Sequence, residues 1–167
     1  MHKLASDKVS LDSSVIVDFH LAGALTLLED LFSGRLLISD FVKKELVDAT
    51  LQLNGTEIIS LSTDNEWEFF RELRQGRAGL GLGELGALCV ARFHSAILLT
   101  NDRQARLAAE EAGVLVHGGL GVLEYALEIK RLSGREALEI LREMINQGAW
   151  ISGDLVEQFK KRIGDSC

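Results

Sequence analysis

The sequence predicts a three-layer α/β/α domain built around a parallel sheet. Two observations carry that prediction. Short strand-like runs stand at 9–11, 36–38, 58–61, 97–100 and 114–116, several of them apolar at consecutive positions, as strands buried on both faces are. Helical patterns fill the gaps at 14–32, 40–50, 64–75, 84–94 and 102–112. Strand–helix alternation of this kind implies a parallel sheet with helices on both faces.

The elements have recognisable ends. The first strand is followed at once by Asp12 and two serines. Ser39 or Asp40 can cap the helix at 40–50, and Asp64 the helix at 64–75. Gly34, Gly113 and Gly134 follow helical runs, where a left-handed residue closes a helix. The segment 75–83, QGRAGLGLG, holds four glycines and reads as a flexible loop. Three further helices, at 119–132, 135–147 and 153–163, finish the chain. Its 167 residues fit one domain, 1–167, with a core at about 8–118 and a helical extension at about 119–163. The pattern leaves open whether that extension serves dimerisation or covers the sheet.

Composition narrows the class. No apolar run approaches the ~18 residues that span a bilayer, and MHKLASDKVSLDSS lacks the apolar stretch of a signal peptide, so the expected setting is the cytoplasm without a membrane partner. Cys89 lies in the apolar run 88–91 and Cys167 is the last residue, a placement that suggests neither a disulfide framework nor a metal set. Cys89 reads as a small core residue rather than a nucleophile. The net charge of −7 counts against extended binding of nucleic acid through phosphate contacts alone. It leaves room for an acidic site neutralised by metal with arginines nearby.

In doubly wound sheets the chemistry gathers beyond the carboxyl ends of the strands, where strand order reverses. Asp12 and Asp102 follow the first and fourth strands. Glu45 lies in the helix after the second strand, and Glu84 opens the helix after the glycine segment. Two carboxylates about 4 Å apart repel by ~4 kcal/mol at an effective dielectric near 20, so several of them converging call for a cation or for protons. An all-oxygen set without grouped His or Cys points to Mg²⁺ or Mn²⁺, and such an ion can activate water against a phosphodiester. Each acid also has a plainer reading. Asp12 and Asp102 suit helix caps, Glu45 a solvated helix face beside Lys43 and Lys44, and Glu84 the favourable end of a helix dipole. Their joint placement carries the functional reading.

The segments VSLDSSVIVDF, ISDFVKKEL, GLGELGALCVARFHSAILLTNDRQARLAAEEAGV and LGVLEYALEIKRLSGREALEILREMINQGAWISGDLVEQF resemble, in order, the blocks of a prokaryotic PIN-domain subfamily, from about Lys8 to Ile163. Its most specific pieces are Gly-Glu-x-x-Ala-Leu, Thr-Asn-Asp-Arg-x-Ala-Arg and GAWISGDLVEQF. The resemblance implies a metal-dependent endoribonuclease acting on RNA, often the toxin beside an antitoxin protein and frequently a homodimer. Carried over, Asp12, Glu45, Glu84 and Asp102 match the four acids that hold one or two Mg²⁺ or Mn²⁺ ions. Ser14 matches the small polar residue two places after the first acid, and Ser14 and Asn101 would orient water or a carboxylate behind the metal. This chain departs from the pattern at Gly86, where a second Glu is common, at Asn101, where an acid is common, and at Gly119, where Thr or Ser is common. Those departures imply a single-metal site or weak activity, and they leave a non-cleaving RNA- or protein-binding module as the alternative.

Other signals compete. Gly81-x-Gly83-x-x-Gly86, with Asp102 downstream, spells a dinucleotide fingerprint, but the charged stretch 71–80 before it has no β pattern. A nucleotide-binding oxidoreductase is therefore the third reading. His2, His20, His94 and His117 show no ligand spacing. Trp67, Phe69 and Phe70 are expected to pack on the sheet rather than stack on bases. Arg74 and Arg77 beside the glycine segment, and Arg103 and Arg106 after Asp102, can hold phosphate oxygens, although solvated helix faces carry arginine as often.

Overall fold

Strands form where the runs are most apolar: β1 (Val9–Leu11), β2 (Leu36–Ser39), β3 (Thr56–Ile59), β4 (Ile97–Leu99) and β5 (Val116–His117). In the computed structural model, which describes residues 2–46 and 51–164, they hydrogen-bond in the order β3-β2-β1-β4-β5, every pair parallel. The expectations for Cys167, for the side chain of His2 and for the 47–50 end of the second helix lie outside the described residues. β1, β2 and β4 are buried along their whole length. The chain leaves β1 towards β2 and β3 and later returns to β4 on its other side, so strand order reverses between β1 and β4. Sheets wound in this way place a crevice at that point, beyond the strands' carboxyl ends.

Nine helices surround the sheet among the described residues: α1 (Ser13–Leu21), α2 (Leu25–Leu31), α3 (Asp40–Glu45), α4 (Asp64–Gly76), α5 (Leu82–Phe93), α6 (Arg103–Glu111), α7 (Gly119–Glu128), α8 (Gly134–Asn146) and α9 (Gly153–Gly164). α5 lies against β1, β2 and β4 and packs with α3, α4 and α6, while α1 packs with α2, α7 and α8 to form the other layer. The result is the three-layer α/β/α architecture. Residues after 118 join the same core, through Val122, Leu123, Leu141, Met144 and Phe159. No helix among the described residues is long and apolar enough to cross a membrane.

Several boundaries move for local reasons. The helix expected at 14–32 is two helices, because Gly23 takes φ +68° and the Ala24 N–H bonds back to the Phe19 carbonyl, which closes α1. Thr63, not Asp64, caps α4, its hydroxyl accepting from Glu66 N while the Glu66 carboxylate reaches back to Thr63 N. Ser39 caps α3. Gly134 does not close α7: Lys130 takes the left-handed conformation and Gly134 begins α8 behind the Ser133 cap. β3 starts earlier than its apolar run, at Thr56, because an edge strand tolerates the exposed Glu57. β5 starts later, since the Val114 N–H is used to close α6 through the Ala109 carbonyl. The glycine segment is shorter as a loop than expected, because helices take both of its ends. Gly76 ends α4, Leu80 is buried, and Gly81 caps α5.

Packing of α5 explains two glycines. A Cβ at Gly86 would lie 2.6 Å from Ser39 Oγ and 2.8 Å from Phe41 Cδ2, so the helix reaches β2 and α3 only without a side chain there. Phe41 in turn stacks on Phe70 at 5.0 Å, and Trp67 meets both rings edge-on, so the aromatics of α3 and α4 pack together beside α5. Gly86→Ala is expected to destabilise the chain by about 1–3 kcal/mol, despite alanine's better helix propensity, as read from the urea midpoint. An alanine variant as stable as the wild type would show that this contact does not set the position of α5.

Candidate metal centre at the carboxyl ends of β1 and β4

Asp12 stands where β1 gives way to α1. It occupies the cap position, yet its carboxylate makes no cap hydrogen bond, so the plain helix-cap reading fails here. Instead Oδ2 accepts from Ser14 Oγ at 2.6 Å and from Thr100 Oγ1 at 2.7 Å. The residue is wholly buried, and Oδ1 has no hydrogen-bond partner among the described residues. Burial raises the Asp12 pKa above its ordinary value against the pull of these hydroxyls, and the charge of Glu45 raises it further. A buried carboxylate oxygen without a donor is costly unless a proton or a cation meets it.

The other three acids surround it with different engagements. Glu45 ends α3 and reaches across to α5. Its Oε1 accepts from Gly83 N at 3.0 Å, one of the unpaired N–H groups at that helix start, and its Oε2 from Ser13 Oγ at 2.8 Å. A Cβ at Gly83 would overlap the Glu45 carboxylate, so only glycine admits this approach. Glu84 sits in the first turn of α5, with Oε2 accepting from Gly81 N at 2.5 Å. Burial raises its pKa most, and the charges of Asp12, Asp102 and Glu45 all add to the shift. Four carboxylates thus share one electrostatic neighbourhood. Asp102 is spent on its helix: Oδ1 accepts from Ala105 N at 2.7 Å and caps α6.

The second layer differs from the sequence reading. Ser14 orients Asp12. Asn101 does not touch any of the four acids: its Nδ2 donates to Asp18 Oδ2 at 2.6 Å, and its Oδ1 accepts from Gly119 N at 2.8 Å. It thereby ties α1 to the start of α7, while its backbone N–H donates to Ser14 Oγ. Asp18, whose pKa is raised by burial, went unread in the sequence. So did Thr100, which donates to Asp12 and accepts from Asp102 N at 3.1 Å, joining the ends of β1 and β4. Its signal was present: a threonine directly before Asn-Asp in an otherwise apolar strand. Ser13, the anchor of Glu45, had only its place beside Asp12 to mark it.

The arginines divide. Arg74 is exposed at the end of α4. Arg77 is paired with Glu111, more than two turns along α6 from Asp102, so the phosphate role read for it conflicts with an existing partner. Arg103 is exposed in the first turn of α6, and Arg106 is half-buried against Gly118, its Nη1 3.0 Å from where a Cβ would stand. Burial pushes the Cys89 thiol up to about 12, which leaves no reactive thiolate. The glycines of the fingerprint serve contacts of α5 with α3 and β2 and follow no strand, which removes the dinucleotide reading.

The donors present fit a hydrated Mg²⁺ or Mn²⁺ rather than a closed cage. Among the described residues, no three Asp, Glu, His or Cys side chains form a group that could hold an ion as they stand. Mg²⁺ commonly takes one or two carboxylates and keeps its remaining waters. Asp12 Oδ1 supplies one buried oxygen donor, and Glu84 stands beside it electrostatically. A family model described as a PIN domain matches residues 8–165. No curated protein matches the chain.

The raised Asp12 pKa fixes the sign of a pH effect. Without a cation, the folded state holds this proton more tightly than the unfolded state. The favourable contribution is complete below the ordinary carboxylate pKa, about 4, and is lost as pH rises through the raised value. Asp12→Asn removes the penalty. Its melting temperature in EDTA is expected to exceed that of wild type by about 2–4 °C near neutral pH, equivalent to about 1 kcal/mol, and the gap should close on acidification. Mn²⁺ should reverse the order by stabilising only the wild type. Equal melting curves across pH and Mn²⁺ would contradict this assignment of Asp12.

Proposed function

The chain belongs to the PIN-domain family, whose members are generally nucleases, and from that premise we propose that it is an Mg²⁺- or Mn²⁺-dependent endoribonuclease. The observation that carries this reading is the buried Asp12 carboxylate, with one oxygen unsatisfied among the described residues, at the reversal of strand order and within the field of Glu45 and Glu84.

Asp12 and Glu84 hold the ion in this reading, and Glu45 and Asp102 add negative charge while fixing the starts of α5 and α6. The bound cation supplies an acidic water nucleophile and offsets charge developing on the phosphodiester. Ser14 and Thr100 hold Asp12 Oδ2 from two sides, which aims Oδ1 and keeps the carboxylate from rotating. One of the surrounding carboxylates would also accept a proton from the attacking water. The toxin role, an antitoxin partner and a homodimer rest on the resemblance alone. A second reading, a PIN scaffold that binds RNA or a protein without cutting, is favoured by the net charge of −7 and by the use of Glu45 and Asp102 on helix starts.

Cleavage of labelled single-stranded RNA separates the two. Wild type with Mn²⁺ should cut, and EDTA should abolish cutting. Thr100→Val should lose about 10–100-fold by loosening Asp12, and Asp12→Asn should lose more than that. No Mn²⁺-dependent cleavage across diverse RNAs would leave the binding module.

A further inference from the structure

The motif GAWISGDLVEQF has no part in the acid cluster, yet it builds one wall of a cleft that also holds Asn101 and two arginines. Trp150, between α8 and α9, is 81% exposed. Its neighbours are anchored: Ala149 N bonds to the Met144 carbonyl, and Ala149 and Ile151 both pack on the core. An indole held in water on a fixed backbone is a preorganised stacking surface.

Trp150 lines a cleft of about 380 Å³, large enough for a small ligand, together with Arg103, Arg106, His117, Leu155 and Asn101. Arg103 and Arg106 lie one turn apart on α6 and so share a face. Among the described residues neither has an ion-pair partner, although the chain carries a net charge of −7. Glu124, on the same wall, is held by Arg162. Asn101 connects the cleft to the acids, because its N–H donates to Ser14 Oγ and Ser14 holds Asp12.

We infer that this cleft is a nucleotide subsite for single-stranded RNA, in which a base stacks on Trp150 and the adjoining phosphate lies on Arg103 and Arg106. A base in a duplex is already stacked on its neighbours and has no free face to offer, so the site selects unpaired strand. Phosphate on α6 then leads the backbone past Asn101 to the acids. The inference rests on the ribonuclease reading for the choice of RNA, and its test does not depend on cleavage.

The test uses the full chain carrying Trp67→Phe, so that emission reports Trp150, in EDTA and with a single-stranded RNA of about ten nucleotides, within the span of such grooves. RNA should quench the emission, and duplex of the same sequence should quench it far less. By anisotropy of labelled RNA, Trp150→Ala should weaken binding about tenfold while Trp150→Phe keeps most of it. Arg103→Gln and Arg106→Gln should each lower the salt slope by about 1. Circular dichroism confirms that each variant folds. Unchanged affinity in Trp150→Ala, no quenching by RNA, or quenching that follows protein concentration alone, as when a second copy covers Trp150, overturns the subsite. If any of these accompanies normal Mn²⁺ cleavage, the ribonuclease reading survives without it. Quenching with no cleavage in any metal leaves the subsite and removes the nuclease.

Discussion

Asp12 is a carboxylate buried at the end of the central strand, and two hydroxyls hold one of its oxygens. Much of the site follows from satisfying that group. β1 must sit between β2 and β4 for the side chain to emerge where strand order reverses, and Thr100 must end β4 in register beside it. Ser14, in the first turn of α1, closes the other side. The unsatisfied oxygen is the residual cost of the arrangement. A buried oxygen without a donor in a native structure calls for an explanation, such as a bound water or ion or a catalytic role.

Around that centre, backbone approach competes with charge. α5 carries Glu84 to the crevice only because Gly83 and Gly86 let it lie against Glu45, Ser39 and Phe41. A second acid at position 86, common in the related pattern, would occupy space that Ser39 and Phe41 already fill. Close packing of the central helix and a fuller ligand set are alternatives at this position, and the chain has taken packing. Asn101 shows the same economy: its amide ties Asp18 to the start of α7, where an acid would place one more negative charge beside a carboxylate whose pKa is already raised.

Charge is distributed with a purpose that the net value conceals. Acids gather at the carboxyl ends of β1 and β4, where their like charges add to the raised pKa of Glu84. Arg103 and Arg106, which have no ion-pair partner among the described residues, stand on the first turns of α6 and line one cleft with the exposed Trp150. Local sign, set by which side chains the helices bring together, decides which part of the surface favours an anion and which a cation.

Read alone, the chain determined what depends on near neighbours. Apolar runs marked all five strands to within a few residues, and alternation with helices dictated parallel pairing, because the connections leave no other geometry. The four acids were legible as residues at strand ends and helix starts, as was Ser14, two places from the first of them. Only the tertiary structure decided how those acids are spent. Asp12 is left without a cap and Asp102 with one, Glu45 goes to the backbone of α5, and Thr100 and Asp18 join the network across more than eighty positions of sequence. Hydrogen bonds between distant segments have no periodicity to betray them, and whether a glycine is a hinge, a helix end or a point of contact depends on what lies against it. Gly86 and Trp150 make the contrast plain: neither residue's neighbours in sequence reveal what its neighbours in space require of it.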